Sequence, residues 1–380
     1  MRKITQRLFD LTLPEHKSAF LWGPRKVGKS YWLNNYLQDF ILIDLLKTDV
    51  YADYIIRPSL LRERHQETTK LIVIDEVQKI PVILDEVHWL IENRGISFLL
   101  TGSSAGKLKR GHANLLGGRA WRKTMTPLSY FEVNGFDLEN VMFTGLLPPH
   151  YLSPNPIEDL RAYVADYLKE EIAAEALTQN IPAFADFLRV AALTSSELIN
   201  YTNIARETGV SHKVVRTYFD ILEDTYLGFR VPAWKKSQNR RMIMTEKFYF
   251  FDVGVSNYLA RRRPLLGSSE FGKSFEHYIL MELRAYQAYK NPDLPIAYWR
   301  TSTGLEVDFI LGDKQLALEI KSSQRVHQSD LKGLQALQHD GPVKHCLLVC
   351  LEKEPRTLSG EIKIVPWKMF LENLWAGDYV

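Results

Sequence analysis

The sequence contains the stretch Gly23-Pro24-Arg25-Lys26-Val27-Gly28-Lys29-Ser30, which matches the pattern G-x-x-x-x-G-K-[ST]. Residues 18–22 before it read as a short buried strand, and residues 31–37 after it read as a helix. Glycines in such a loop let backbone N–H groups face phosphate oxygens at the amino terminus of the helix. We therefore predict a phosphate-binding loop. Its Lys29 ammonium would contact the β- and γ-phosphates of a nucleotide, and the Ser30 hydroxyl would bind Mg²⁺.

A second motif lies downstream at a distance that suits the first. Residues 71–74 read Leu-Ile-Val-Ile, an apolar run typical of a parallel strand covered on both faces, and Asp75-Glu76 follow directly. Acids at that point lie at the carboxyl edge of the sheet, where open α/β sheets bind ligands. We predict that Asp75 holds the magnesium shell and that Glu76 orients and polarises the attacking water. Together the two motifs predict binding and hydrolysis of Mg-ATP.

Two more residues are candidates for the same chemistry. The apolar run at residues 98–100 ends in Thr101, whose hydroxyl can contact the γ-phosphate, position water or simply cap a helix. Arg119 follows two glycines, and an arginine in such a turn can enter a neighbouring subunit's site and stabilise transition-state charge. The alternative, an ordinary surface arginine, stays open.

Composition limits what these motifs can mean. With 380 residues the chain is too long for one ordinary core, so we expect two or three domains. The hydrophobic content of 46% and the charged content of 24% are typical of a globular protein. The net charge is only +3, so any nucleic-acid contact must come from local basic patches. Cys346 and Cys350 lie in an apolar run and read as packed thiols in a strand. Those thiols, and the lack of a signal-like or membrane-length apolar run, predict a cytoplasmic protein without membrane contact.

The middle of the chain predicts a helical lid followed by a helix-turn-helix. Turn formers cluster at residues 145–156, and apolar residues recur at helical spacing over residues 158–177. Residues 202–211 read as a helix, a glycine turn and a new helix capped by Ser211. The new helix would pack its apolar face inward and leave Lys213, Arg216 and Thr217 outside.

A wing is predicted after this second helix, over residues 227–232 and the basic segment that follows. The functional interpretation is phosphate contact on duplex or branched DNA. The alternative is a winged helix that serves only as a packing module. The predicted DNA contacts are Lys213, Arg216, Thr217, Lys235, Lys236, Arg240 and Arg241.

The carboxyl-terminal part carries an acidic pattern on predicted strands. Asp308 lies in one strand, and Glu319 and Lys321 lie two residues apart in the next, so their side chains share a face. Two carboxylates can hold a divalent metal that activates water, while the lysine orients the nucleophile or offsets charge. Glu276 on the preceding helix, near residues 271–286, would complete the site.

Five segments of the chain resemble one large bacterial and archaeal group of AAA+-type ATPases: GPRKVGKS, LIVIDEVQKIP, FLLTGSSA, LLGGR and TPLSYFE. Members of that group carry a carboxyl-terminal domain of uncharacterised function related to PD-(D/E)xK nucleases. The resemblance covers essentially the whole chain. It implies that Asp75 and Glu76 are Walker B acids, that Thr101 lies at the sensor position and that Arg119 is the finger. It also implies a hexameric ring. The chain departs from better-known AAA+ proteins in having no asparagine at the sensor position.

We therefore expect an α/β protein with three parts. Residues 1–145 would form an AAA+-like P-loop domain with a parallel sheet. Residues 146–245 would form the lid and winged helix, and residues 246–380 a PD-(D/E)xK restriction-endonuclease-like α/β domain. The expected function is Mg-ATP hydrolysis that remodels or translocates DNA in a ring-shaped homo-oligomer. Mg²⁺ or Mn²⁺ would bind Glu276, Asp308 and Glu319, with Lys321 beside them for cleavage. Two alternatives stay open: a nucleotide-gated scaffold with an inactive nuclease fold, and an ATP-regulated endonuclease without translocation.

Overall fold

The computed structural model describes residues 3–4, 6–14, 16–65, 70–106, 108, 116–167, 180–234, 242–358 and 361–380. Helices and strands are numbered in chain order within these ranges. No helix in these ranges has both the length and the apolar character that crossing a bilayer requires.

The amino-terminal part is a parallel sheet with helices on its two faces. In chain order its elements are β2 (Ser18–Trp22), α1 (Lys29–Tyr36), β3 (Phe40–Asp44), α2 (Thr48–Ile56), α3 (Leu60–Arg64), β4 (Leu71–Asp75), α4 (Ile83–Arg94), β5 (Phe98–Gly102) and β6 (Ala120–Thr124). The strands lie in the order β3-β4-β5-β2-β6, and every pairing between them is parallel. The ends of β2, β4 and β5 therefore meet at one edge, which confirms the predicted parallel sheet and brings its motifs together.

Two short strands, one before and one after the parallel sheet in the chain, pair with each other, and three short helices follow the second of them. They are β1 (Lys3–Ile4), which pairs with β7 (Val133–Asn134), α5 (Leu138–Thr144), α6 (Pro148–Leu152) and α7 (Pro156–Ala162). Helix α7 runs into one π-helical turn, Tyr163–Tyr167. The predicted helical stretch at residues 158–177 is thus seen as far as residue 167, and its remainder lies outside the described residues.

Three helices and a two-stranded ribbon make up the middle part. They are α8 (Ile181–Leu193), α9 (Tyr201–Thr208), α10 (His212–Asp224), β8 (Gly228–Val231) and β9 (Lys247–Phe250). Helix α9 ends at Gly209, whose φ of 67° suits glycine, and Ser211 Oγ caps α10 by accepting a bond from Val214 N (3.3 Å). The helix–turn–helix thus lies where the sequence predicted it. Lys235, Lys236, Arg240 and Arg241, the basic segment after β8, lie outside the described residues.

The carboxyl-terminal part is a mixed sheet with a long helix. Its elements are α11 (Val253–Ala260), α12 (Ser269–Tyr289), β10 (Ile296–Arg300), β11 (Glu306–Leu311), β12 (Leu316–Ile320), α13 (Lys332–His339), β13 (His345–Cys350), β14 (Arg356–Thr357), β15 (Lys363–Pro366) and α14 (Trp367–Ala376). The strand order is β10-β11-β12-β13-β15-β14, with β12, β13 and β15 parallel and the other pairings antiparallel. Cys346 and Cys350 are buried free thiols in β13, as the sequence predicted.

The three parts are in direct contact. Strand β9 pairs with β8 of the middle part, although the sequence run that contains it was expected to open the carboxyl-terminal domain. The hydroxyl of Tyr289, the last residue of α12, accepts a hydrogen bond from Thr126 N (3.0 Å), just after β6. The predicted boundaries at residues 145 and 245 stay predictions.

Candidate functional site

A cleft of about 830 Å³ opens at the carboxyl edge of the parallel sheet. One wall is the loop between β2 and α1, and the opposite wall is α6. The lining residues are Arg7, Arg25, Lys26, Gly28, Lys29, Ser30, Tyr31, Leu46, Glu76, Pro148, Pro149 and Leu152. Most of the predicted phosphate-binding loop therefore faces one open space.

Two glycines let the loop take its shape. Gly23 has φ of 152°, and a Cβ there would lie 2.4 Å from the Met125 carbonyl oxygen, so no other residue fits. Gly28 has φ of 105° and begins α1, which turns the first free N–H groups of that helix toward the cleft. Between them Val27 is fully buried and anchors the loop in the core.

The Lys29 side chain is folded back over this loop. Its Nζ donates to Gly23 O (2.7 Å) and to Pro24 O (3.1 Å), and the residue is only 6% exposed. The loop carbonyls thus hold the ammonium at the floor of the cleft, where a phosphate would meet it.

Asp75 lies at the end of β4, and its carboxylate accepts hydrogen bonds from two hydroxyls. Ser30 Oγ donates to Asp75 Oδ2 (3.2 Å), and Thr101 Oγ1 donates to Asp75 Oδ1. Burial raises the pKa of Asp75, and the charge of Glu76 adds to this, while the Thr101 bond and Lys29 lower it. A carboxylate and a hydroxyl in contact are the hard oxygen donors that Mg²⁺ prefers, so these residues fit the predicted metal. Thr101 is completely buried, and its hydroxyl contacts the Asp75 carboxylate, so its assignment to the sensor position stays a prediction.

Glu76 is held by two polar side chains that the sequence analysis did not assign. Its Oε2 accepts bonds from Gln78 Nε2 and from Ser103 Oγ (3.3 Å), and Gln78 Nε2 also lies 3.2 Å from Ser103 Oγ. The Glu76 backbone is in the left-handed region with φ of 59°. Both Gln78 and Ser103 lie within stretches that carried the motif, but only the folded chain shows that they bind this carboxylate.

Arg119 lies far from the cleft of its own chain. It directly precedes β6, and the register pairs Ala120 with Ser18, the first residue of β2. The phosphate-binding loop follows the other end of β2, roughly 15 Å away along five residues of strand. Arg119 Nε pairs there with the Glu92 carboxylate on α4, and both side chains are partly exposed.

Arg7 is a further lining residue that the sequence analysis did not identify. It donates to Val27 O (3.2 Å) in the loop, to Thr126 O (2.7 Å) and to the Tyr289 hydroxyl (3.0 Å). Its Nε also lies 3.1 Å from Glu132 Oε1, in a pair that is almost completely buried. No local sequence motif marks Arg7, because its partners are distant in the sequence.

The predicted contact residues of α10 lie on one exposed face. Lys213, Arg216 and Thr217 are all exposed, as the apolar spacing predicted. The Arg216 guanidinium lies 4.2 Å from the centre of the Tyr201 ring, and Thr217 Oγ1 donates to Lys213 O (3.1 Å).

A second group of charged residues lies between α12, β11 and β12. Lys321 Nζ contacts Glu319 Oε1 (2.5 Å), and Ile320 N donates to Asp308 Oδ2 (2.8 Å). Burial raises the pKa of Asp308 well above its usual range, and the charges of Glu319 and Glu276 raise it further. Burial likewise raises the pKa of Glu319 to about 7, against the lowering effect of Lys321.

Two residues that the sequence analysis did not assign complete this acidic cluster. Lys247 Nζ lies 2.5 Å from Glu306 Oε1 and 3.6 Å from Glu276 Oε1, and the Tyr249 hydroxyl donates to Glu276 Oε1 (2.5 Å). Across the described ranges, no three His, Cys, Asp or Glu side chains converge closely enough to hold a metal ion. The four predicted residues lie in one group, and each of the three carboxylates, Glu276, Asp308 and Glu319, has at least one oxygen bound to a protein donor.

Three family models match successive parts of the chain. The AAA domain model matches residues 15–134. Two models described as domains of unknown function match residues 135–266 (DUF8612) and 271–370 (DUF4143). The amino-terminal match indicates nucleotide-dependent ATPase activity, in agreement with the cleft.

Two known proteins are similar over most of the chain. An uncharacterized protein of Methanocaldococcus jannaschii is 22% identical over 343 residues, which is 81% of this chain and 75% of that protein. A chain in the structure of Drosophila ORC bound to AT-rich DNA and Cdc6 covers 65% of this chain and 85% of its own length at 12% identity. Its TM-score of 0.21 is too low to establish a common fold.

Proposed function

We propose that the chain hydrolyses ATP with Mg²⁺ in the cleft beside α1. The observation that carries this proposal is that Lys29, Ser30 and Glu76 line that one space, with Asp75 directly behind them as the acceptor of the Ser30 hydroxyl. Release of phosphate from ATP by the purified chain, with Mg²⁺ and with EDTA, tests it. Metal-dependent release supports the proposal, and its absence under both conditions contradicts it.

In this proposal each residue has one task. Backbone N–H groups of residues 25–30 and the Lys29 ammonium bind the phosphates, and Ser30 and Asp75 hold Mg²⁺, which offsets the charge on the phosphates. Glu76 orients the attacking water. Because Glu76 Oε2 is bound by Gln78 and Ser103, the carboxylate has to exchange these partners for water before hydrolysis.

We also propose that the active form is a ring, with Arg119 of one subunit at the cleft of the next. Support comes from its place at the edge of the sheet opposite its own cleft, which prevents it from acting within its own chain. A hexamer is the ring that the AAA+ resemblance implies. An arginine that arrives from a neighbour would stabilise the charge that develops during phosphoryl transfer.

DNA is the partner that we propose for the middle part. Helices α9 and α10 with the β8–β9 ribbon have the order of a winged helix, and Lys213, Arg216 and Thr217 are exposed on α10. The basic residues at 235–241 would add contacts from the wing. Stimulation of ATP hydrolysis by DNA separates a motor from a scaffold, since a motor requires it and a scaffold does not.

For the carboxyl-terminal part we propose a nuclease-like fold whose Glu276, Asp308 and Glu319 take Mg²⁺ or Mn²⁺. Glu319 Oε2 supports this, because it is a buried carboxylate oxygen that has no hydrogen-bond partner among the residues that the structure describes. Such an oxygen is costly unless a cation completes its shell. The alternative, an inactive fold that only binds, is favoured by the protein groups that already occupy the other carboxylates. Cleavage of DNA with Mn²⁺, lost in Asp308→Ala and Lys321→Ala, distinguishes the two.

A further inference from the structure

Strand β9 places two donors over the acidic cluster. Lys247 and Tyr249 are two residues apart, so their side chains leave the strand on the same side. Lys247 Nζ contacts Glu306 and Glu276, and the Tyr249 hydroxyl binds the same oxygen of Glu276. Lys247 is only 3% exposed, so its ammonium is enclosed among these carboxylates.

The acids around Lys247 are almost completely satisfied by protein groups. Glu306 also pairs with Arg300 Nη1 (3.1 Å), Glu319 pairs with Lys321, and Asp308 accepts a backbone N–H. Three positively charged side chains, Lys247, Arg300 and Lys321, therefore face four acidic ones, Glu276, Glu306, Asp308 and Glu319. Within the described part of the chain, Glu319 Oε2 is a buried oxygen with no hydrogen-bond partner.

We propose that Lys247 determines which cation this cluster takes, because its buried ammonium already lies beside Glu276, one of the three carboxylates that a divalent ion would need. The inference rests on the proposed metal site. Mn²⁺ would require oxygens of Glu276 and Asp308 while a buried positive charge lies beside them, and two cations this close in a low-dielectric interior repel strongly. The cluster therefore binds a divalent ion only after Lys247 has left.

The strand that carries Lys247 also connects the cluster with the middle part. Strand β9 pairs with β8, Val231 opposite Lys247, and β8 follows α10. A ligand that shifts the β8–β9 ribbon would therefore move Lys247 relative to Glu276 and Glu306. A ligand bound to the β8–β9 ribbon would thus control whether the acidic cluster can bind a divalent ion.

Binding of Mn²⁺ to the full-length chain without nucleotide tests the proposal, with free Mn²⁺ followed by electron paramagnetic resonance. The parent and Lys247→Arg should bind no stoichiometric Mn²⁺, since both keep the buried positive charge. Lys247→Met keeps the length of the side chain, and it should bind one Mn²⁺ at least tenfold more tightly than the parent. The double variant Lys247→Met/Asp308→Asn should lose that ion.

The parent protein alone can overturn the proposal, so the test survives even if Lys247→Met does not fold. If the parent binds one Mn²⁺ that Asp308→Asn removes, the metal site stands and the role of Lys247 is wrong. If a folded Lys247→Met, with a cooperative melting transition, binds no Mn²⁺, the cluster is not a metal site, and both this inference and the proposed metal function fail.

Discussion

Lys29 and Glu76 have separable tasks in the cleft, so single substitutions should separate binding from hydrolysis. Lys29→Ala should lower ATP affinity by about 10²-fold or more, because losing one partner of a buried charged contact costs about 2–5 kcal/mol. Glu76→Gln should keep ATP affinity within a fewfold of the parent and lose hydrolysis, because Asp75 still holds the metal while the water loses its base. Fluorescent-nucleotide titration and phosphate release measure the two effects.

Glu139→Gln is a matched control for this pair. Glu139 is an exposed glutamate on α5, outside the cleft, and its substitution should change neither quantity. Turnover by Glu76→Gln at the parental rate would show that the assignment of the Walker B pair is wrong.

Glu282 makes a prediction about stability and pH. Burial raises the pKa of this α12 residue to about 8, against the lowering effect of the bond from Tyr130 N (2.7 Å), and the charge of Glu132 adds to the rise. Its pKa in the unfolded chain is near the ordinary value of about 4.3. The folded state therefore holds the proton more tightly, and stability should fall as the pH rises from about 4 to 8.

Glu282→Gln cannot ionise, so it should lose less stability than the parent over this pH range. Its melting temperature should exceed that of the parent by a few degrees at pH 9, and the difference should be smaller at pH 5. A difference that stays constant between pH 5 and pH 9 would show that Glu282 is charged in the folded state throughout.

Some residues of the cleft and of the acidic cluster could be identified from the sequence, and others could not. Residues 23–30, Asp75 and Glu76 belong to motifs with a fixed spacing, because the phosphate-binding backbone always needs the same residue types in the same order. A sequence pattern therefore identifies them. Arg7 and Lys247 act on partners that are far away in the chain, and Gln78 is distinguished only by the direction of its amide. Such contacts depend on tertiary packing, which local spacing does not encode.

Helix α10 makes a prediction about DNA and salt. Replacing Lys213 and Arg216 together by alanine should weaken binding to all duplex sequences, because phosphate contacts do not depend on the base. The slope of log K against log salt should fall by about one unit for each lost phosphate contact. Fluorescence anisotropy at several salt concentrations measures it.

Lys332→Ala with Lys353→Ala is the control for this experiment. It removes two exposed positive charges from the carboxyl-terminal part, so the net charge changes equally while α10 is untouched. Equal effects of the two double variants would indicate a general charge effect. An unchanged slope of log K against log salt for the α10 variant would show that the helix–turn–helix serves only for packing.

Helices and strands could be predicted from the sequence where their apolar pattern was distinctive. The runs at residues 18–22, 71–74 and 98–100 became β2, β4 and β5, and the spacing around Gly209 gave α9 and α10. The partner of a strand was harder, because an apolar run does not specify its neighbour. Strand β9 lies within residues 246–380, the expected last domain, and it pairs with β8 of the middle part.

Assembly is tested at the scale of the whole molecule by Arg119. Arg119→Ala should leave ATP affinity nearly unchanged and lower turnover by about 10³-fold or more, if the arginine acts between subunits. Mixing it with Lys29→Ala should restore part of the activity, since an interface between the two variants can pair an intact loop with an intact arginine. Steady-state turnover of each protein and of the mixture measures this.

Glu92→Gln is the control for Arg119. It breaks the exposed pair between Arg119 and Glu92 but keeps the guanidinium, so turnover should stay at the parental level. A monomer by light scattering with ATP bound, together with full turnover in Arg119→Ala, would remove this arginine from the mechanism.

Arg7 binds the loop at Val27, the segment after β6 at Thr126 and the end of α12 at Tyr289, across sequence separations of up to 282 residues. This has a consequence for how such chains can change by descent. A recombination event that replaced the carboxyl-terminal half with a foreign one would remove the tyrosine and leave the buried guanidinium with one hydrogen-bond partner fewer. The two halves should therefore be inherited together. A lineage in which Tyr289 is substituted should also carry a compensating change at or around Arg7.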